Sequence, residues 1–209
     1  MKHKTKNKKT IRKLFHVPCS MFHEKGFTLI ELTVLMAIIV IISGILFLNF
    51  REGERNLALQ RSAHIATQAV SKAVNNSFAG KEHNGTVSSG GFGIALEQNS
   101  QDIIIFADCD MDNEFDISGT ALSCEEATAG TPYPEQFSTD TLESDILVST
   151  LNPCSGTPCR LVLTFIPPNP DVVFEPSLGG PEAQIGLRDS RGNTINIFIN
   201  KLGVTRIQQ

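Results

Sequence analysis

Proline is missing from the long interval between Pro18 and Pro132 of this 209-residue chain. Between Phe27 and Ala79 the only glycines are Gly44 and Gly53, so little in that stretch interrupts a helix. Cations are scarce past the first 26 residues, where 10 Lys/Arg stand against 21 Asp/Glu, a net charge of −11. That balance argues against a general nucleic-acid binder, since duplex binding rests on neutralising phosphates. Histidine is scarcer still: beyond residue 26 only His64, on a helical stretch, and His83, in a polar loop, remain. No Ser or Cys has an evident base partner beside it, so catalysis is not expected. An ordinary cleaved signal peptide needs a small-residue site after its apolar run. The run here ends Leu48-Asn49-Phe50-Arg51-Glu52 with no such site, and the apolar segment is expected to be retained. A lipoprotein reading through His16-Val17-Pro18-Cys19 fails too, because that cysteine precedes the run.

What is present divides the chain. Residues 1–26 carry eight Lys/Arg and one acid, Glu24, the pattern that marks a cytoplasmic flank. From Leu32 to Leu48 the sequence is apolar, relieved only by Thr33, Ser43 and Gly44. Seventeen residues is the short end of a bilayer-spanning helix. Glu31 stands at the entry to this run, where a lone carboxylate costs about 2.5–3.5 kcal/mol on insertion scales. Past the run, Leu59, Ala63, Ala66, Val70 and Ala73 recur at spacings of 4, 3, 4 and 3, one apolar helix face. These observations predict one helix over 27–78, some 52 residues and roughly 78 Å long, apolar all round at first and amphipathic afterwards. A soluble coiled coil does not fit, because 32–48 is uniformly apolar.

The stretch Lys25-Gly26-Phe27-Thr28-Leu29-Ile30-Glu31-Leu32 resembles the processing site of type IV prepilins and type II secretion pseudopilins. It has the Gly–Phe junction, the Glu as fifth residue after it, and the apolar run behind. The match covers about 25 residues. The resemblance implies that residues 1–26 are a basic leader, removed between Gly26 and Phe27 by the membrane aspartic prepilin peptidase, with N-methylation of Phe27. It implies that Glu31 faces the Phe27 ammonium of a neighbouring subunit, which would make it an assembly and register device. A start at Met21 would shorten the leader to six residues. Major pilins commonly carry proline at the twenty-second mature position; Leu48 stands there, which favours a minor subunit or pseudopilin.

Gly80 to Gly93 is turn-rich, with Asn84-Gly85 and Gly90-Gly91-Phe92-Gly93. Strand-like runs follow at Phe92–Leu96, Ile103–Ala107, Ile146–Thr150, Leu161–Ile166, Val172–Phe174, Gln184–Arg188, Thr194–Ile199 and Val204–Ile207, with a hairpin turn at Arg191-Gly192-Asn193. The expected fold class is α+β, a type IV pilin-like long N-terminal helix whose first half is transmembrane, packed on a C-terminal antiparallel sheet domain. The divisions are residues 1–26, leader; 27–50, transmembrane or filament core; 51–79, amphipathic helix; and 80–209, a periplasmic β-rich domain. The end of the chain, Ile185-Gly186-Leu187-Arg188, a turn, Thr194–Ile199 and Leu202-Gly203-Val204-Thr205-Arg206, is similar to the end of the H-type pseudopilin and FimT-like minor pilin domain. That likeness implies a single-pass inner-membrane protein that passes into a filament, with other pilins or pseudopilins, prepilin peptidase and the membrane as partners.

Three groups of residues carry candidate chemistry. Cys109, Cys124, Cys154 and Cys159 lie outside the leader; four cysteines allow three disulfide pairings. Sequence proximity favours Cys109–Cys124 and Cys154–Cys159. Zinc is the alternative, but neither a Cys-x-x-Cys nor an accompanying His is present. Asp108, Asp110, Asp112, Glu114 and Asp116 follow the front half of a calcium loop, with Asn113 at its sharp turn. The bidentate Glu of position 12 is absent, because Gly119 stands there, leaving Glu125 or Glu126 as replacements if the chain folds back. A solvated acidic turn is the other reading. Finally, Arg188, Arg191, Lys201 and Arg206 oppose only Asp189 in the last 24 residues. Some FimT-like minor pilins grip DNA for uptake through a basic C-terminal region; ordinary solvated strand cations are the alternative. An uncleaved single-span anchor for a periplasmic domain is a further reading of the whole chain.

Overall fold

A computed structural model describes residues 27–128, 131–168 and 172–208, with residues 47–52 described by their backbone alone. The expected leader, Gly26 included, lies outside the described residues. The chain divides into two units, 1–46 and 47–209.

One helix, α1, runs Leu29–Phe78, 50 residues, close to the expected bounds. Both of its ends are capped by side chains or backbone that the local sequence supplies. At the start, the Glu31 amide donates to Thr28 Oγ1 and the Thr28 amide donates to Glu31 Oε2, each at 3.3 Å. This is a capping box, two orphan amides satisfied reciprocally. At the end, the Gly80 amide donates to the Ser77 carbonyl at 3.2 Å and the Lys81 amide to the Asn76 carbonyl at 3.0 Å. Gly80 has φ of 57°, a left-handed turn that glycine enters without strain.

In the first unit, Leu29–Leu46 is long and apolar enough to cross a membrane, and none of its 18 residues is buried. In the second unit the face marked by the heptad-like spacing is buried: Leu59, Ala63, Ala66, Val70 and Ala73, joined by Ala69. Alanine at most of these positions lets the helix backbone approach the sheets closely. Arg61 reaches Glu143 at 3.1 Å and Lys72 reaches Asp140 at 2.6 Å, ion pairs at the margin of that contact.

Eleven strands appear among the described residues, and every pairing is antiparallel. β1 (Glu82–His83) and β2 (Thr86–Val87) form a small hairpin around Asn84-Gly85. β3 (Gly91–Glu97), β4 (Asp102–Asp108), β5 (Gln136–Thr141), β7 (Arg160–Phe165) and β8 (Val172–Glu175) form a five-stranded sheet in the order β5-β4-β3-β7-β8. β6 (Ile146–Asn152), β9 (Glu182–Asp189), β10 (Thr194–Asn200) and β11 (Thr205–Gln208) form a four-stranded sheet, β11-β10-β9-β6. The expected antiparallel sheet domain consists of two main sheets, because β6 leaves the first sheet's run of strands to pair with β9. The period-2 pattern is cleanest in β10, where Ile195, Ile197 and Ile199 are buried and alternate with more exposed positions. Both sheets and α1 contribute to one apolar core.

The five-stranded sheet is covered on its other face as well. Ala95, Phe106 and Val162 gather there with Phe115, which comes from the acidic segment after β4. The Phe106 and Phe115 rings lie 5.5 Å apart. A Cβ on Gly93 would fall on the Phe106 ring, so glycine is what admits that aromatic pair.

Candidate functional site

Two places carry the candidate chemistry, one in each unit. In the first, Phe27 is 76% exposed and the apolar side chains that follow, from Leu29 to Leu46, are exposed too. Glu31 is the only charged residue among them. The capping box gives its carboxylate a partner within its own chain, a role the sequence reading did not assign; the signal for it was the Thr28-x-x-Glu31 spacing.

The second place is the segment leaving β4. Asp108 and Asp110 are buried and Asp112 is half-buried, and one carboxylate oxygen from each lies within 4.8 Å of the others. Asp108 accepts the amides of Met111 at 2.8 Å and Asn113 at 3.3 Å, while Asp112 accepts the amide of Glu114 at 2.8 Å. Met111 and Asn113 both have φ of 64°, and for Asn113 this is the left-handed turn expected from its position. The expected Glu114 and Asp116 do not join the converging three: Glu114 is exposed and Asp116 is half-buried, and neither belongs to the group.

Neither Glu125 nor Glu126 folds back onto the loop; both are exposed on a short 3-10 helix, Cys124–Glu126. The carboxylate that arrives is Glu135, fully buried. It accepts the amide of Cys109 at 2.7 Å and that of Asp116 at 3.2 Å, clamping both ends of the loop. Its place 19 residues beyond Asp116 leaves no local signal. A Cβ on Gly119 would strike the carbonyl of Pro132, which is why no glutamate can occupy that position. The loop is also fixed by the Phe115 plug and by Ser88, whose hydroxyl donates to the Asp108 carbonyl.

Crowding of acids has an electrostatic consequence. Burial pushes Asp108 up to about 7, against the pull of the Met111 amide, and the Asp112 and Asp110 charges add to the rise. Burial likewise pushes Glu135 up to about 8 despite the Cys109 and Asp116 amides, with Asp108 and Asp110 adding to it. Asp110 and Asp116 are raised by burial and by the Asp112 charge. Among the described residues no Lys or Arg forms an ion pair with any of them.

The cysteines pair as sequence proximity favours, Cys109–Cys124 and Cys154–Cys159, which removes them from any zinc site. His64 is exposed on the helix. His83, expected in a polar loop, is instead buried, edge-on to Tyr133 with centroids 5.7 Å apart and bonded to the Pro134 carbonyl at 3.1 Å. Its imidazole is a packing group because the β1–β2 hairpin folds it inward.

The four C-terminal cations do not form one patch. Arg188 and Arg191 lie at the β9–β10 turn, lining a hollow of about 510 Å³ with Asp145 and Asp189. Lys201 lies at the opposite end of β10, about 20 Å away for a strand of that length. Arg206 is held by Glu182 at 2.9 Å and lies over the Phe198 ring at 4.6 Å. Comparison with protein families, with characterised proteins and with solved structures finds no match for the chain.

Proposed function

We propose that this chain is a structural subunit of a type IV pilus or type II secretion pseudopilus, a minor pilin or pseudopilin of the H/FimT-like type, rather than an enzyme. It is matured between Gly26 and Phe27, held in the inner membrane by the first half of α1 with the β-rich domain in the periplasm, and then drawn into a filament. The observation that carries this reading is the wholly exposed apolar stretch Leu29–Leu46 with a single carboxylate, Glu31, five residues into the processed chain.

An apolar helix surface with no partner among the described residues needs lipid or neighbouring helices around it. Glu31 is costly in lipid alone, and a neighbour's Phe27 ammonium would offset much of that cost. The second half of α1 supports the same division of labour, since its buried face is committed to its own sheets. Two disulfides support an oxidising compartment for the β-rich domain. Leu48, in place of the proline common in major pilins, supports a minor role.

A strain lacking the protein separates the two machines. Loss of sheared surface pili with normal secretion assigns it to a pilus; normal pili with enzymes trapped in the periplasm assign it to a secretion pseudopilus. Normal pili and normal secretion together would overturn the proposal.

A further inference from the structure

We propose that the loop Asp108–Asp116 is a calcium site, with Asp108, Asp110 and Asp112 supplying carboxylate oxygens. The proposal concerns this loop alone and does not depend on the filament reading. Three carboxylates converge to within 4.8 Å, a separation that suits oxygens surrounding one ion at calcium's bond lengths of about 2.3–2.6 Å.

Two buried atoms point to an absent positive partner. Oδ2 of Asp110, a residue only 8% exposed, has no hydrogen-bond partner, and neither has Oδ1 of Asn113. Both atoms are acceptors sealed from solvent, and a buried acceptor left without donor or cation is costly. No cationic side chain forms an ion pair with the loop among the described residues.

The donor set consists of oxygen, which selects a hard cation. Calcium accepts irregular arrangements, whereas magnesium demands a near-octahedral shell at about 2.0–2.1 Å. The loop is held in place before any ion arrives by Glu135, the Cys109–Cys124 bond and Phe115. Because the Gly119 position has no room for the bidentate glutamate of stronger loops, affinity belongs near the weak end, about 10⁻⁴–10⁻³ M, typical of extracellular modules.

The test uses the full-length protein in detergent, stripped with chelator, and follows thermal unfolding and calorimetric titration with CaCl2. Calcium at about 10 mM is expected to raise Tm by on the order of 3–5 °C, with one ion bound per chain. Asp110→Asn keeps the side-chain shape but removes a charge, and should weaken calcium at least tenfold; Asp112→Asn, at a half-buried position, should do the same. If Asp110→Asn fails to fold, Asp112→Asn carries the test. Absence of any calcium response, an equal response to MgCl2, or an unchanged binding constant in a folded variant would each overturn the site.

Discussion

Replacing Glu31 by glutamine separates the two jobs its carboxylate can do. Within its own chain, Glu31 closes the capping box with Thr28 through contacts of 3.3 Å. A glutamine at the same position retains that arrangement, whereas alanine removes it, at about 0.5–2 kcal/mol of helix-start stability, the range for caps in general. In the proposed filament the carboxylate also faces a neighbour's Phe27 ammonium. Glutamine removes the charge and leaves that ammonium unpaired in an apolar setting, a loss of about 3–5 kcal/mol. At 1.4 kcal/mol per tenfold, that is on the order of a hundredfold or more in subunit incorporation. We therefore expect Glu31→Gln to enter the membrane and be processed like the wild type, yet to fall at least a hundredfold in the sheared filament fraction measured by quantitative immunoblot. Glu31→Ala should fall as far. If Glu31→Gln assembles normally while Glu31→Ala does not, the carboxylate is only a cap and the pairing argument is wrong.

Glu135→Ala should lower stability by about 2–5 kcal/mol, because the buried Cys109 amide and the half-buried Asp116 amide each lose their acceptor; an unchanged urea midpoint would show that the clamp contributes nothing. Asp189 gives a pH signature. Burial tends to raise its pKa, but the donors of Asn193, Arg191 and Gly192 outweigh this and hold it below the usual 3.8. A depressed carboxyl contributes stability that is fully present above about pH 4 and lost as pH falls through the folded-state value. Thermal unfolding should therefore show a loss below pH 3.8 that Asp189→Asn abolishes, and a variant with the wild-type acid limb would reject this. With Arg188 and Arg191 apart from Lys201 and Arg206 pinned by Glu182, the full-length protein should not retard duplex DNA at physiological salt. Retardation abolished by charge reversal at Arg188 and Arg191 would instead favour the DNA-capturing minor pilin.

The elements with strong periodicity are legible in the sequence. The apolar face of α1 and the runs that became β3, β4 and β6–β11 carry their signals locally. β5 was missed because Gln136-Phe137-Ser138-Thr139-Asp140-Thr141 offers one apolar residue and lies at a sheet edge, half-exposed. The hairpin of β1 and β2 is two residues per strand, too short for any pattern. The division into two sheets depends on which distant strands pair, β6 with β9 and β3 with β7, and strand composition does not encode that. At the acidic loop, the aspartates at alternate positions and the Asn113 turn are legible in the sequence, and so is the absence of a glutamate at Gly119, but not its cause. The cause is the Pro132 carbonyl, a contact across the fold. Glu135 was illegible for the same reason: its partners are 26 and 19 residues away.

The most direct test of the filament-subunit account is the intact mass of the protein purified from its own cells. The account predicts a chain that begins at Phe27, lacks residues 1–26 and carries one added methyl group on its amine. A mass that includes residues 1–26 would mean an uncleaved single-span anchor, and would contradict the account at its root.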